Sequence, residues 1–165
     1  MARSAKKRHQ NRKSKQSESL QRMMGDLQKN GNFKDFKYVD RPEGMMKMSD
    51  AISEIMAPFM EFADTLEGFK KLVGVACIAW NAANTSPLLR GVEIRKAMKA
   101  FTGMTFRDRQ DFKAIIKELI RRKKLLYPDD KRLVVNYEVY EKKRDFHFQV
   151  AYMIPAKEYE KASKE

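Results

Sequence analysis

The spacing of the apolar residues changes abruptly near residue 129. Between Ile52 and Leu126, apolar residues recur every three or four positions, as they do on one face of an α-helix. After Asp129-Asp130 they alternate with polar residues, which is the pattern of a β-strand with one buried face. The order of the two patterns predicts an α+β protein in which helices come first and strands last.

The helical part divides into four segments. The most regular is 66–84, where Phe69, Val73 and Trp80 belong to an apolar series spaced by three and four residues. Pro58 interrupts the segment before it, and because proline lacks a backbone N–H we expect a kink or a division there. We predict helices over 49–65, 66–84, 87–102 and 105–126.

The last part of the chain predicts two antiparallel strands. Val139 in the first run and Phe148 in the second belong to alternating series, and only Lys142-Lys143-Arg144-Asp145 separates them. We predict strands over 132–141 and 146–154. An isolated hairpin is barely stable in water, so its apolar face should lie on the helices. The fold class is therefore a bundle of about four helices followed by a C-terminal antiparallel β-hairpin, in one globular domain spanning 49–155.

The N-terminus has the composition of a disordered basic arm. The first seventeen residues contain seven Lys or Arg and no carboxylate, and no large apolar side chain lies between Ala5 and Leu20. Such a segment cannot bury enough surface to offset its ordering entropy. A mobile cationic arm over 1–18 predicts binding to the phosphates of RNA or DNA. The residues expected to bind are Arg3, Lys6, Lys7, Arg8, Arg12, Lys13 and Lys15.

Two further segments lie outside the predicted domain. Residues 19–48 combine a short amphipathic helix with a Met-rich linker, and they can pack on the bundle or serve as an adaptable binding surface. Residues 156–165 form a polar C-terminal tail.

The domain carries basic clusters of its own. One lies near the start of the helix 105–126, a second at its end, and a third at the hairpin turn. The order helix, helix, hairpin is also that of the second half of a winged-helix domain, whose recognition helix contacts DNA through its N-terminal part. The cations at the helix end also complement the helix dipole, which explains them without any ligand. The residues predicted to contact nucleic acid are Arg107, Arg109, Lys113, Arg121, Arg122, Lys123, Lys124, Lys142, Lys143 and Arg144.

Few residues point to catalysis. The chain has two histidines and one cysteine, too few for a zinc ligand set, and it contains no Gly-rich phosphate loop and no nucleophile motif. Asp129 and Asp130, with Glu138 and Glu141, could hold Mg²⁺, but an Asp-Asp pair after proline is ordinary turn chemistry. We predict no enzyme, no catalytic, cofactor or metal site and no small-molecule substrate.

The sequence thus predicts a non-enzymatic, nucleic-acid-associated binding protein attached through its basic arm. RNA or a ribonucleoprotein is preferred over DNA, because the phosphate-binding element is strong and a base-reading element is not evident. The alternatives are a protein–protein adaptor, using the Met-rich segment or the hairpin edge, and a winged-helix DNA-binding protein. The lone Cys77 suits a reducing compartment, and no apolar run is long enough for a membrane. We expect a cytoplasmic protein, or a nuclear one in a eukaryote.

Overall fold

The fold class predicted from the sequence is confirmed by a computed structural model, which describes residues 44–100 and 106–155. Within these residues, four α-helices are followed by an antiparallel two-stranded hairpin. The elements are α1 (Met48–Met56), a 3₁₀ helix (Ala57–Phe62), α2 (Leu66–Asn84), α3 (Pro87–Ala100), α4 (Phe106–Leu126), β1 (Leu133–Lys142) and β2 (Asp145–Met153).

Several predictions fall on the remaining residues. The basic arm 1–18, the segment 19–43, the turn between α3 and α4 and the tail 156–165 lie outside the described residues. In the described part of the Met-rich segment, Met46 is 47% exposed, whereas Met48 is 2% exposed and belongs to the core. The methionines there are thus divided between core and surface.

The first predicted helix is divided where Pro58 breaks the pattern. The α-helix ends at Met56 and continues as a 3₁₀ helix from Ala57 to Phe62. Because proline offers no N–H, the α-helical bond to the preceding turn cannot form at that position. Ile52, Ile55 and Met56 in α1 are fully buried.

The central element is α2. Thr65 caps its start, since the hydroxyl oxygen accepts a hydrogen bond from the N–H of Gly68 at 3.0 Å. The apolar series of this helix, including Phe69, Val73 and Trp80, is buried. The other three α-helices and the hairpin all pack against α2, which makes it the core helix of the domain.

A β-bulge changes which residues of β1 face the helices. The regular pairing of Val134 with Tyr152 resumes one residue out of step at Asn136 with Ala151. An extra residue in one strand reverses the alternation beyond it. Val134 therefore faces the core before the bulge and Val139 after it. On β2, Phe146, Phe148, Val150 and Tyr152 keep the predicted alternation and pack against the core.

Polar side chains of α2 bind the start of β1. Trp80 Nε1 donates to the carbonyl oxygen of Arg132 at 2.8 Å, and Asn84 Nδ2 donates to the same oxygen at 2.9 Å. Asn81 binds Val134 twice, because its Nδ2 donates to the carbonyl at 2.7 Å and its Oδ1 accepts from the N–H at 2.8 Å. The Asn81 amide thus takes the place of a neighbouring strand and fixes the hairpin on the helix.

Candidate nucleic-acid interface

The predicted binding residues of α4 begin in its first turns. Arg107 and Arg109 belong to the helical backbone there, and their side chains lie outside the described part of the chain. Lys113 is exposed one turn further on. The seven cations of the arm also lie outside the described residues. The predicted binding residues whose side chains the structure describes are therefore on α4 and at the hairpin turn.

The four consecutive cations at the end of α4 have different environments. Arg121 and Lys124 are exposed. Arg121 forms a two-bond ion pair with Glu118, with both nitrogen–oxygen distances 2.7 Å. This hydrogen bonding lowers the pKa of the Glu118 carboxyl and raises the pKa of Arg121. Both side chains face solvent, so the pair adds little stability and leaves the guanidinium accessible.

Arg122 points back to the end of α1. Its Nε donates to the carbonyl oxygen of Ile55 and its Nη2 to that of Glu54, each at 2.8 Å. The last carbonyls of an α-helix lack the usual partner four residues on, and Arg122 donates to two of them. The Glu54 carbonyl also accepts from the N–H of Ala57. Its guanidinium is half-buried and serves the packing of α4 on α1.

Lys123 is buried, with 1% of its surface exposed. Its Nζ donates to Asn84 Oδ1 at 2.7 Å and to the carbonyl oxygen of Asp130 at 2.6 Å, and it lies 5.1 Å from the centre of the Trp80 ring. Burial lowers the pKa of this ammonium to about 8. Protein groups surround the ammonium, so Lys123 is not one of the exposed cations of α4.

The sequence contained the signal for this burial. Lys123 follows Ile116 by seven residues and Leu119 by four, and both of these side chains are fully buried. Positions spaced by four and seven share one face of a helix. The sequence prediction treated the four consecutive cations as one exposed cluster because all four carry the same charge.

The exposed cations of α4 form one row, which we call the basic stripe: Lys113, Lys117, Arg121 and Lys124. They are separated by four, four and three residues, and all are exposed. The row is about 17 Å long at the rise of an α-helix. Among the described residues, no carboxylate forms an ion pair with its three lysines. Lys117 was missing from the sequence prediction, although its spacing from Lys113 and Arg121 indicated it.

A second basic group lies at the hairpin turn. Lys142, Lys143 and Arg144 are exposed, and Lys142 pairs with Asp145 across the strands. Lys143 and Arg144 have φ angles of 54° and 67°, in the left-handed region. A two-residue turn with both φ angles positive suits the twist of a hairpin, but Asn-Gly is its usual sequence. Two long cationic side chains therefore stand where the backbone favours small residues.

Asp130 and Cys77, two of the residues considered for chemistry, have structural environments. The Asp130 carboxylate accepts hydrogen bonds from Arg132 Nε at 2.9 and 3.0 Å, and the Arg132 guanidinium also donates to the carbonyl oxygen of Met46 at 2.8 Å. Cys77 is buried, which raises the pKa of its thiol to about 12. In residues 44–100 and 106–155, no group of three or more His, Cys, Asp or Glu is placed to hold a metal ion.

Comparison of the chain with protein-family models, with curated proteins and with solved structures gives no significant match. None of the helices in the described ranges combines the length and the apolar character of a membrane span.

Proposed function

We propose that this protein is a non-enzymatic, nucleic-acid-associated binding protein that attaches to phosphate backbones by charge. RNA, free or in a ribonucleoprotein, is the preferred partner over DNA, and the cytoplasm is the expected place. The proposal rests on the basic stripe, which presents exposed cations in a row. Phosphate contacts of this kind position a protein on a nucleic acid without reading its sequence.

The charges of the stripe are available for a ligand. An exposed lysine without a protein carboxylate gives up only water and a counterion when it meets a phosphate. Glu118 lies beside the stripe and is already bound to Arg121. The arm adds seven cations without any acid. The row of cations on α4 and the seven cations of the arm, in one chain, together support binding to an extended polyanion.

The preference for RNA depends on the kind of contacts that the chain offers. Basic segments that order on binding are common in RNA recognition. Exposed lysines reach phosphates of any nucleic acid, so the affinity for RNA and DNA must be measured side by side.

Salt dependence of binding tests the proposal. The full-length protein would be titrated into fluorescein-labelled single-stranded RNA, single-stranded DNA and duplex DNA at 50–300 mM NaCl, with anisotropy as the readout. Replacing Lys113, Lys117 and Lys124 by Gln should reduce the slope of log K against log salt by about 2, and replacing all seven arm cations should reduce it by about 5. The matched control is Gln at Lys47, Lys70 and Lys131, three exposed lysines outside α4 that form no ion pair with a described carboxylate, and it should leave the slope nearly unchanged.

Four results would count against the proposal, two of them by favouring an alternative. The first is no measurable binding of any probe at 50 mM salt, and the second is equal loss in the stripe variant and its control. Stronger binding to duplex DNA than to RNA would favour the winged-helix alternative. Crosslinking in lysate with and without nuclease then identifies the bound polymer. Capture of a protein that persists at high salt and without the arm cations would favour the adaptor alternative.

A further inference from the structure

The outer face of the hairpin carries an aromatic pair beside the basic turn. Tyr140 on β1 pairs with His147 on β2, and their rings stack with centroids 5.8 Å apart and planes inclined by 23°. Tyr140 is 38% exposed and His147 is also exposed. Their neighbours Val139 and Phe148 face the core, so the stacked pair lies on the opposite, solvent side of the two strands.

The pair lies close to the turn. Lys142 and Asp145 form the next rung on the same face, about 7 Å along the strand from Tyr140 and His147. Lys143 and Arg144 lie just beyond that rung. Asp145 and the exposed Glu141 offset two of the three cations in residues 141–145, so this end carries a net charge of +1, with Lys143 and Arg144 at the turn itself.

The turn geometry makes these two cations costly to the stability of the hairpin. A residue that has a Cβ is less stable in the left-handed backbone conformation than in the right-handed one, by about 1–2 kcal/mol. Glycine or asparagine would form the same turn with less strain. Placing Lys143 and Arg144 there trades hairpin stability for positive charge next to exposed rings.

The geometry points to a stacking site for an unpaired base, with Tyr140 and His147 as the platform and Lys143 and Arg144 holding a neighbouring phosphate. The ligand class is a single-stranded nucleic acid, because a base in a duplex already stacks on its neighbours and does not offer its face. This inference rests on the proposed function and adds to it a specific contact and a preference for single strands.

A single substitution separates stacking from charge. Tyr140→Leu removes a ring without changing charge, and it should weaken binding of a single-stranded oligouridylate at least fivefold while leaving the salt slope unchanged. Binding to a duplex RNA of equal length should not change. Tyr140→Phe keeps the ring, and it should bind within twofold of the wild type. Far-UV circular dichroism and thermal melting of each full-length variant establish that the hairpin is intact.

A fluorescent base gives a second readout. An oligonucleotide with one 2-aminopurine should lose emission on binding to the wild type and to Tyr140→Phe, because stacking quenches this base. It should lose less on binding to Tyr140→Leu at saturation. Single-stranded RNA and DNA probes are compared in parallel, since both offer the same base faces and phosphates.

The possible failures are distinguishable. If the protein binds with a steep salt slope and Tyr140→Leu matches the wild type on single strands, the stacking site is wrong and phosphate binding stands. Equal losses on single strands and duplex would also overturn the stacking site. If no nucleic acid binds at 50 mM salt, both the stacking site and the proposed function are wrong.

Discussion

Gly74 lies under the ring of Tyr137, and this contact makes a strong prediction about the docking of the hairpin on α2. A Cβ at position 74 would lie 2.6 Å from Tyr137 Oη and 3.4 Å from Cζ. Inside a helix, alanine is normally more stable than glycine by about 1 kcal/mol. Here the hydroxyl must move first, and overpacking a core costs about 1–3 kcal/mol. We expect Gly74→Ala to lower the free energy of unfolding by about 1 kcal/mol.

Removal of the hydroxyl should reverse the sign. In Tyr137→Phe the ring atom Cζ becomes the nearest neighbour of a Cβ at position 74, at 3.4 Å, which is an ordinary contact distance. Gly74→Ala should then stabilise this background by about 1 kcal/mol, as expected from helix propensity alone. The coupling energy is the difference between the effects of Gly74→Ala in the two backgrounds, about 2 kcal/mol. This is well above the error of a double-mutant cycle.

The assay is guanidinium unfolding of four full-length proteins: the wild type, Gly74→Ala, Tyr137→Phe and the double variant. Unfolding is followed by far-UV circular dichroism, and the free energies come from linear extrapolation. Gly91→Ala on α3 is the matched control, because among the described side chains the atom nearest to the added Cβ is Arg95 Nη1, at 3.9 Å. It should stabilise both backgrounds equally. If Gly74→Ala stabilises the wild type as much as Gly91→Ala does, Tyr137 does not cover Gly74 and the described docking is wrong.

Three further predictions concern basic residues. Lys143→Asn with Arg144→Gly should raise the free energy of unfolding by about 1–2 kcal/mol, from relief of left-handed backbone strain, while weakening RNA binding; no stabilisation in guanidinium unfolding would refute the turn geometry. Arg122→Ala should lower the free energy of unfolding by about 2–3 kcal/mol, since two carbonyls lose a charged donor; an unchanged midpoint would count against that contact. Burial lowers the pKa of Lys123 to about 8 from its ordinary 10.5, so above pH 8 the unfolded chain binds more protons and the Lys123 contribution to stability rises with pH. In a Cys77→Ala background, thermal melts from pH 7 to 9.5 should show this rise, and Lys123→Met should abolish it.

The helices and the hairpin were predictable because burial imposes periodicity. The spacing in α2 and the change of pattern after Asp129 follow directly from which side chains the core needs, and Pro58 marks the end of α1 by its missing N–H. The bulge next to Val134 was not predictable, since an extra residue in a strand rich in β-branched side chains leaves no compositional mark.

The candidate surface was predictable only in part. Counting charge finds the run from Arg121 to Lys124, but successive helical residues point about 100° apart, so four in a row cannot share one surface. Helical spacing separates the exposed Arg121 and Lys124 from the buried Lys123, and it adds Lys117. The stacked pair at the turn depends on the register of the two strands, which the type and length of the turn set and which the more distant bulge does not change.

The bonds between α2 and the entry to β1 have a consequence for the order in which the molecule is made. The indole of Trp80 and the carbonyl of Arg132 are 52 residues apart, and Asn81 and Val134 are 53 apart. At the usual pace of synthesis, about 5–20 residues per second, the donors emerge roughly 3 to 10 seconds before their acceptors exist. Until then the growing helices have an uncovered apolar face and unmatched amides. A chain truncated before Leu133 lacks both strands and should therefore yield aggregates or substrates for chaperones, not a smaller folded bundle.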